Sequence, residues 1–408
     1  MTAETTVSRR NQIVTVVMVF AVFTGFAFVL PFLPLYVREL GVEEPEAAAL
    51  WAGVLIGIAP LLAGLLAPVW GRLADRHGHK RVAVKALVAY VVLLALCAAV
   101  TSVGQLLVLR AGVGLFGGLG PLGLAMAAAH APREETGRAV GLIQAAQILA
   151  AAVGPFAGGM LADSIGMRRT FLAAAGLCAL ALLLVLALYR DADRSAERDA
   201  TAGAAGFGAV VVLPGVLGLL AVLFVVNFVG RSFTPILPLH LQDLGVPADR
   251  LASATGVLIS VYSVTAAASA ALLGRASQSR SPHALLLATL VGGAPIVMGM
   301  ALAPSYGAFL ALGVLGGLVS GGSLTLCYTI GGLMVPSAVR ATAFGFFSSA
   351  ALFGGAVAPT VAGLVAHVSL RGIYWVDGVL YLALAGALVA RRPPARGGET
   401  SSPRPGLR

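Results

Sequence analysis

The sequence contains little charge. Only 11% of its 408 residues are Asp, Glu, Lys or Arg, whereas 59% are hydrophobic. Water-soluble domains carry about 25% charged residues, and disordered chains combine high charge with low hydrophobicity. Both classes are therefore excluded, and the composition indicates a protein that lies within a membrane.

Cysteines and catalytic motifs are also scarce. The three cysteines, Cys97, Cys178 and Cys327, lie in apolar runs and are odd in number, so neither a disulfide framework nor a metal site follows. The sequence has no histidine pair at metal-binding spacing, no Gly-x-Ser-x-Gly and no phosphate-binding loop. We therefore expect no enzyme activity, no metal, no organic cofactor and no transport driven by ATP.

Long apolar runs dominate the sequence instead. Each is long enough to cross roughly 30 Å of hydrocarbon as a helix, and none shows the alternation of barrel strands. The sequence therefore predicts an all-α membrane protein with twelve transmembrane helices. The runs lie at about 12–37, 48–70, 82–101, 105–130, 138–162, 169–189, 209–240, 251–273, 284–303, 306–334, 341–366 and 372–390.

The basic residues indicate the orientation of these spans. With the N-terminus in the cytoplasm, twenty Lys and Arg residues lie on the cytoplasmic side and five on the other. This bias is the positive-inside pattern of membrane proteins. We expect both termini to be cytoplasmic, in a protein of the cytoplasmic (inner) membrane, and the net charge of +10 reports topology rather than a nucleic-acid partner.

The two halves of the chain are copies of each other. A shift of 204 residues lays Pro31–Val42 over Pro235–Val246, with seven of twelve positions identical. Parallel repeats related by an axis along the membrane normal, with a solute site between them, are a transporter architecture. The sequence thus predicts two pseudo-symmetric six-helix bundles. They are 1–189 and 209–390, joined by a cytoplasmic linker at 190–208 and followed by a disordered tail at 391–408.

A specific motif, GRLADRHGHKR, lies between the second and third spans. It resembles the signature loop of the major facilitator superfamily, Gly-x-Leu-Ala-Asp-x-x-Gly-x-Lys/Arg. The resemblance implies that Asp75 contacts arginines and the positive N-terminus of the eleventh helix near Arg340, closing the cytoplasmic side. The second copy has Gln278 at this place, so we expect a one-sided latch; a solvated charge cluster is the alternative. The predicted latch residues are Gly71, Asp75, Arg76, Gly78, Lys80 and Arg81.

The fifth span contains a second motif. Gly154–Gly159 resembles the Gly-x-x-x-Gly-Pro-x-x-Gly-Gly segment of the superfamily's exporters, with Ala150 in place of the first glycine. Proline bends a helix, and glycine admits another backbone at close range. We expect this kink to pack on the eighth helix and to seal the outer side; a plain packing kink is the alternative. The kink residues are Gly154, Pro155, Gly158 and Gly159, and the expected partners are Ala266, Ala267, Ala268 and Ala270.

Two further segments extend the resemblance over the whole chain. Leu30–Tyr36 looks like the first helix of the drug:proton antiporter family, and Arg110 with Gly114 matches its Arg-x-x-x-Gly pattern. The resemblance is closest to bacterial multidrug-resistance exporters with twelve spans. It implies alternating access, coupling to a proton gradient and a lipophilic small-molecule substrate. We expect a monomer whose partners are substrate, protons and membrane lipids.

Few charged residues lie within the spans. A charge at the bilayer centre costs at least about 2.5 kcal/mol, so such residues should face protein or a wet cavity. The candidates for proton coupling are Arg110, Asp377, Glu39 and His130. The first and fourth spans lack the carboxylate that many proton antiporters place there, and a structural role for Asp377 is as well supported as a coupling role.

The candidate substrate cavity is apolar with few polar groups, which suits amphipathic drugs better than sugars. Its predicted lining is Phe23, Phe26, Gln144, Gln147, Asn227, Arg231, Tyr262, Tyr328 and Phe347. For each aromatic residue, core packing is the alternative. We predict proton-driven export of lipophilic drugs or metabolites. A sugar or amino-acid exporter of the same fold, and a transport-inactive membrane sensor or scaffold, remain as alternatives.

Overall fold

The computed structural model describes residues 3–129, 136–190, 215–336 and 340–390. Within these ranges the chain is built from helices and their short connections, and the prediction of an all-helical fold is confirmed. The predicted tail, His130 and all but the first residue of the predicted linker lie outside the described residues.

The first half forms six spans. The first is broken after Val29 because Pro31 cannot donate a helical hydrogen bond, and the fourth is broken at Phe116–Gly118. In order, the spans are Ala3–Val29 with Leu33–Glu39, Pro45–His77, His79–Cys97, Val103–Leu115 with Leu119–Ala129, Thr136–Ile165 and Met167–Leu188.

The second half forms six more. Its first member, the seventh span, bends by 47° at Phe233–Ile236, a break that contains Pro235 and repeats the break at Pro31. In order, the spans are Val216–Ser232 with Leu237–Asp243, Leu251–Ala276, Pro282–Ala301, Tyr306–Met334, Arg340–Ala366 and Gly372–Ala390.

Twelve crossings follow from these helices. Ten helical stretches of the described residues are long and apolar enough to cross a membrane, and the bent seventh span makes an eleventh crossing. The third span, His79–Cys97, carries Lys80, Arg81 and Lys85 near its start, which places that end at a membrane face. The chain is therefore an integral membrane protein.

The two halves pack in the same way. The first span pairs with the fifth, the second with the fourth and the third with the sixth, and the seventh to twelfth spans repeat these pairs. Apolar side chains between the paired spans form two hydrophobic cores, one for each half, around residues such as Met18 and Leu94 or Leu258 and Leu326. Each half is thus a bundle held by its own packing.

The two membrane faces differ in charge. Because the spans alternate in direction, the first span begins on the face that also carries Arg72, Arg76, Lys80 and Arg81. We call this the basic face and the other one the opposite face. The opposite face carries the connections at Leu40–Glu44 and Leu244–Arg250.

Candidate functional site

The bundles meet near the opposite face, where the second span crosses the eleventh. A Cβ on Gly53 would overlap the carbonyl oxygen of Pro359, and a Cβ on Gly57 would overlap that of Ala356. The Thr360 hydroxyl donates a hydrogen bond to the Gly53 carbonyl oxygen at 3.4 Å. Backbone therefore lies directly on backbone, which only residues without a side chain allow.

The crossing of the fifth and eighth spans repeats the crossing of the second and eleventh spans. A Cβ on Gly256 would overlap the carbonyl oxygen of Pro155. In the repeat, Pro155 corresponds to Pro359 at a shift of 204, and Gly53 corresponds to Gly256 at a shift of 203 after one residue is removed. The same glycine–proline contact thus occurs twice, once on each side of the pseudo-twofold axis.

The predicted partner of the exporter-type segment is wrong in position. Pro155 and Gly159 do face the eighth span, but at Gly256 and Ala252, nearer the opposite face than Ala266–Ala270. The spans approach most closely where both backbones carry the smallest residues, and the eighth span has its glycine at position 256. The Ala266 carbonyl instead contacts Gly321 of the tenth span.

The other two glycines of that segment face the first span. A Cβ on Gly154 would overlap Ala27, and a Cβ on Gly158 would overlap the backbone of Phe28. The segment therefore has two packing surfaces, one within its own bundle and one towards the other bundle.

Polar groups add three links between the bundles near the opposite face. The Ser260 hydroxyl accepts the Phe156 N–H at 3.0 Å. The Asp163 carboxylate accepts the N–H of Ser253 at 2.7 Å, in the first turn of the eighth span, where a negative charge is favoured. Arg38 Nη1 donates to Gln242 Oε1 at 2.9 Å. The bundles are therefore joined at this face by both packing and hydrogen bonds.

The surfaces of the second and eleventh spans that touch near the opposite face move apart towards the basic face. Gly64 lies eleven residues, or about three helical turns, after Gly53 and shares its face, yet a Cβ there would meet nothing within 4 Å. Gly345 lies eleven residues before Ala356 in the eleventh span, and it too has open space around it. The bundles therefore enclose a cleft that opens on the basic face.

Two predicted cavity residues clearly face this cleft. Gln144 is exposed and lies eleven residues before Pro155, on the face of the fifth span that points to the other bundle. Arg231 is also exposed, between Gly355 of the eleventh span and Tyr262 of the eighth. Polar groups from both bundles thus reach the same space.

Other predicted lining residues form smaller groups within each bundle. Phe23 and Gln147, both half-buried, converge on Gly120 of the fourth span. Half-buried Phe26 packs edge-to-face on Tyr90, with ring centroids 5.1 Å apart. These contacts place Phe23, Phe26 and Gln147 at the wall of the first bundle.

The second bundle contributes two partly satisfied polar groups. The half-buried Asn227 donates its amide N–H to the Leu223 carbonyl oxygen of its own helix at 3.2 Å. Tyr328 stacks on Phe344 and lies 3.5 Å from the Ser348 hydroxyl. Tyr328 is thus close to the basic face rather than beside Arg231.

The prediction that Phe347 lines the cavity is wrong. Its side chain is fully buried and packs against Gly331 of the tenth span and Leu219 of the seventh. Gly331 leaves the space that the ring fills, so Phe347 belongs to the core of the second bundle.

Arg110 lies inside the first bundle rather than in the cleft. It is only 2% exposed, and its Nε donates to the Leu55 carbonyl oxygen of the second span at 3.1 Å. Gly114, one turn further on, lets the fourth span approach Ala59 closely. Arg110 Nη1 has no hydrogen-bond partner among the described residues, so this guanidinium is incompletely satisfied.

Asp377 is buried in the second bundle. The Ser232 hydroxyl donates to its Oδ2 at 2.5 Å, whereas Oδ1 has no hydrogen-bond partner among the described residues. Glu39, by contrast, is exposed on the opposite face and forms an ion pair with Arg168 at 3.2 Å. Of the predicted coupling residues, only Asp377 is thus a buried carboxyl group.

The signature loop forms the turn between the second and third spans. Gly78 ends the second span with φ +91°, a conformation that favours glycine. Lys80 Nζ donates to the carbonyl oxygens of Leu186 and Tyr189, which end the sixth span. Arg76 and Arg81 are exposed on the basic face, and the side chains at positions 71, 75 and 340 lie outside the described part.

Sequence reasoning missed the residues that close the opposite face, chiefly Gly53, Gly256 and Asp163. The two glycines could have been found, since they correspond in the repeat. No comparable signal marks Asp163, because the repeat places His367 at its position.

Two copies of a six-helix bundle, separated by a cleft that is open on one membrane face and closed on the other, define a membrane transporter. The chain belongs to the Major Facilitator Superfamily, whose family model matches residues 15–304 and 219–407. It is therefore a secondary active transporter and not an enzyme.

Curated relatives extend over almost the whole chain. The chain is 30% identical over 402 residues to "Multidrug resistance protein MdtG" of Klebsiella pneumoniae (strain 342), covering 97% of this chain and 96% of the relative. It is 32% identical over 327 residues to "Multi-drug resistance efflux pump PmrA homolog" of Lactococcus lactis subsp. lactis (strain IL1403), covering 80% of each chain.

Solved structures share the fold. A bacterial homolog of the human lysosomal transporter Spinster, in an inward-facing and occupied conformation, superposes with a TM-score of 0.76 at 17% identity and covers 94% of this chain and 98% of that chain. The D-xylose-proton symporter gives a TM-score of 0.71 at 17% identity, over 94% and 98% of the two chains.

Proposed function

We propose that this protein exports lipophilic small molecules across the cytoplasmic membrane in exchange for protons. The names of its relatives favour such substrates. The half-buried aromatic rings of Phe23 and Phe26 in the first bundle suit an apolar substrate body. The excess of Lys and Arg on the basic face supports a cytoplasmic location for that face and for both termini. The structure is then the inward-facing state, ready to load substrate from the cytoplasm or inner leaflet.

The observation that carries this proposal is the contrast along one helix face. The second span touches the eleventh at Gly53 and Gly57 but faces open space at Gly64. A rocking of the two bundles would separate the first pair of contacts and bring the open faces together. The Asp75 latch predicted from the signature loop would then close the cytoplasmic side, which gives alternating access.

For the proton we propose Asp377 as the carrier. A carboxyl group that is buried and has one oxygen without a partner can change its protonation only when a water path reaches it. Such a path must alternate between the two faces for coupling. Arg110 would act as a fixed charge beside the second span.

The test uses purified protein in liposomes with an imposed pH gradient and a panel of neutral, anionic and cationic fluorescent compounds. We expect gradient-dependent accumulation of at least one compound. Asp377→Asn should abolish gradient-driven accumulation and leave substrate counterflow intact, because counterflow needs no net proton movement.

Asp243→Asn is the control, since Asp243 is exposed on the opposite face. If the unsubstituted protein accumulates the compounds equally with and without the pH gradient, transport is not coupled to protons. Gradient-driven accumulation that survives in Asp377→Asn would exclude Asp377 as the carrier.

A further inference from the structure

Arg231 lies where the two bundle contacts end. Its neighbour Gly355 immediately precedes Ala356, which meets Gly57 of the second span. Its other neighbour, Tyr262, is two residues after Ser260, which bonds to the fifth span. Arg231 therefore lies at the closed end of the cleft, with its Cα about 22 Å along the seventh span from that of Val216.

The structure makes room for this side chain. A Cβ on Gly355 would lie 2.8 Å from Arg231 Cδ, so the glycine leaves space along which the arginine stem extends. The side chain is nevertheless exposed, although three spans surround it. Because those spans close against the other bundle beyond it, the exposed surface faces the cleft.

Among the described residues, no protein group neutralises the charge. Arg231 forms no hydrogen bond or ion pair with any of them, and it interacts electrostatically with the Tyr262 hydroxyl. In the described spans the one acidic residue of the membrane interior, Asp377, is fully buried and bonded to Ser232. The guanidinium also keeps its charge at any accessible pH, so the closed end of the cleft is positive.

Arg231 of the second bundle faces the cleft, whereas the buried Arg110 lies inside the first bundle. The repeat places Ala27 of the first span at the position of Arg231, and Phe23 at that of Asn227. The wall contributed by the first bundle is thus aromatic and neutral around Phe23 and Gln147, whereas the wall of the second bundle carries a cation. A molecule with an apolar body and an anionic end would match both walls.

We propose that Arg231 selects organic anions, meaning amphiphilic molecules with a carboxylate, sulfonate or phosphonate group, as the preferred substrates of this transporter. This inference rests on the proposed export function, because it names the class of molecule that the cleft exports. An anion can pair with the planar guanidinium through two hydrogen bonds, which a lipophilic cation cannot do. A cation would also be repelled by an uncompensated charge at low effective dielectric.

The experiment compares three probes that share one ring system: naphthylacetate, naphthylacetamide and naphthylethylammonium. Binding to the purified protein is measured by calorimetry, and uptake into liposomes is measured separately under a pH gradient. We expect naphthylacetate to bind at least about tenfold more tightly than naphthylethylammonium. Arg231→Gln should remove this preference and change naphthylacetamide binding less than about twofold.

Two further variants refine the test. Arg231→Lys keeps the charge but loses the planar donor pair, so it should retain part of the preference. Arg169→Gln removes the same charge from an exposed position on the opposite face and should leave the preference unchanged. Unaltered naphthylacetamide binding shows that the Arg231 variants are folded.

The outcomes separate this inference from the proposed function. Equal or weaker binding of naphthylacetate, no binding of any probe, or a preference that survives in Arg231→Gln would overturn the selection of anions. Gradient-driven uptake of naphthylacetamide without any anion preference would refute the inference and leave export standing. Selective binding of naphthylacetate without transport of any probe would refute export and reduce the inference to an anion-binding site at Arg231.

Discussion

Ser232 satisfies one oxygen of the buried Asp377, and the other oxygen has no hydrogen-bond partner among the described residues. A buried carboxyl group without hydrogen bonds is costly, and the cost rises if the group is charged. The hydroxyl thus stabilises the second bundle by satisfying one oxygen of a buried acidic group. Its position on the seventh span also ties that span to the twelfth.

Ser232→Ala should destabilise the protein by about 1–3 kcal/mol, because both carboxyl oxygens of Asp377 would then lack a partner. The measurement is the equilibrium unfolding of purified protein in mixed micelles. Ser263→Ala is the matched control, since among the described residues the Ser263 hydroxyl bonds only to the Ile259 carbonyl oxygen of its own helix. Equal stability of the two variants would mean that Asp377 does not depend on Ser232.

At the residue scale, the sequence predicts some site residues correctly and others wrongly, because it shows which residues share a helix face but not what that face contacts. Helical periodicity tells which residues share a face, as it does for Gln144 and Pro155. It does not tell whether that face meets a neighbouring helix or open space. Arg231 and Phe347 both lie in apolar spans, and only packing shows that one faces the cleft while the other fills the space beside Gly331.

At the scale of elements, the closed face depends on two symmetric crossings of helix backbones. Gly53 lies on Pro359 and Gly256 lies on Pro155, and Asp163 adds a carboxylate at the start of the eighth span. The crossings act through close packing, whereas the carboxylate stabilises the end of a helix that belongs to the other bundle. Opening this face must break all of these contacts together.

Gly53→Ala should shift the protein away from the state that is closed on the opposite face. The added methyl group overlaps the Pro359 carbonyl, and overpacking of this kind costs about 1–3 kcal/mol. The measurement is the distance between spin labels at Glu43 and Val368, which are exposed at the ends of the second and eleventh spans. We expect a longer distance to become populated.

Gly64→Ala is the control for that substitution. It lies on the same face of the same span, gains the same helix propensity and meets nothing within 4 Å. Its label distances should equal those of the unsubstituted protein. If Gly53→Ala also leaves them unchanged, the crossing does not hold the face closed.

The sequence predicts the spans better than their crossings. Apolar length and the repeat give the number of spans. The breaks of the first and seventh spans contain Pro31 and Pro235, whereas the break of the fourth span at Phe116–Gly118 contains no proline. A crossing point depends on which small residues of two distant segments meet, and alanine and glycine are abundant throughout. The expected contact at residues 266–270 was wrong because the eighth span contains several segments of small residues, and the sequence does not tell which of them packs against the fifth span.

At the scale of the whole molecule, one pathway is open and one is closed. The exposed Gln144 lies in the cleft, and Glu43 lies on the opposite face. The three native cysteines are buried in the bundle cores. A water-soluble thiol reagent should therefore react mainly with cysteines that are introduced at exposed positions. Access from each side can therefore be measured directly.

Gln144→Cys should react with a membrane-impermeant thiol reagent applied to the basic face and resist the reagent applied to the opposite face. Vesicles of both orientations provide the two measurements. Glu43→Cys should show the reverse pattern. Fast reaction of Gln144→Cys from the opposite face, in the absence of substrate, would contradict an inward-facing resting state.

The hydrogen bond between Arg38 and Gln242 joins two residues that are 204 positions apart, which is the length of the repeat. Each residue therefore faces its own counterpart across the pseudo-twofold axis. In two identical halves, any side chain at this position would meet a second copy of itself. Two glutamines can donate to and accept from each other, whereas two arginines only repel. The difference between the halves at this position therefore gives Arg38 a hydrogen-bond acceptor in place of a second positive charge.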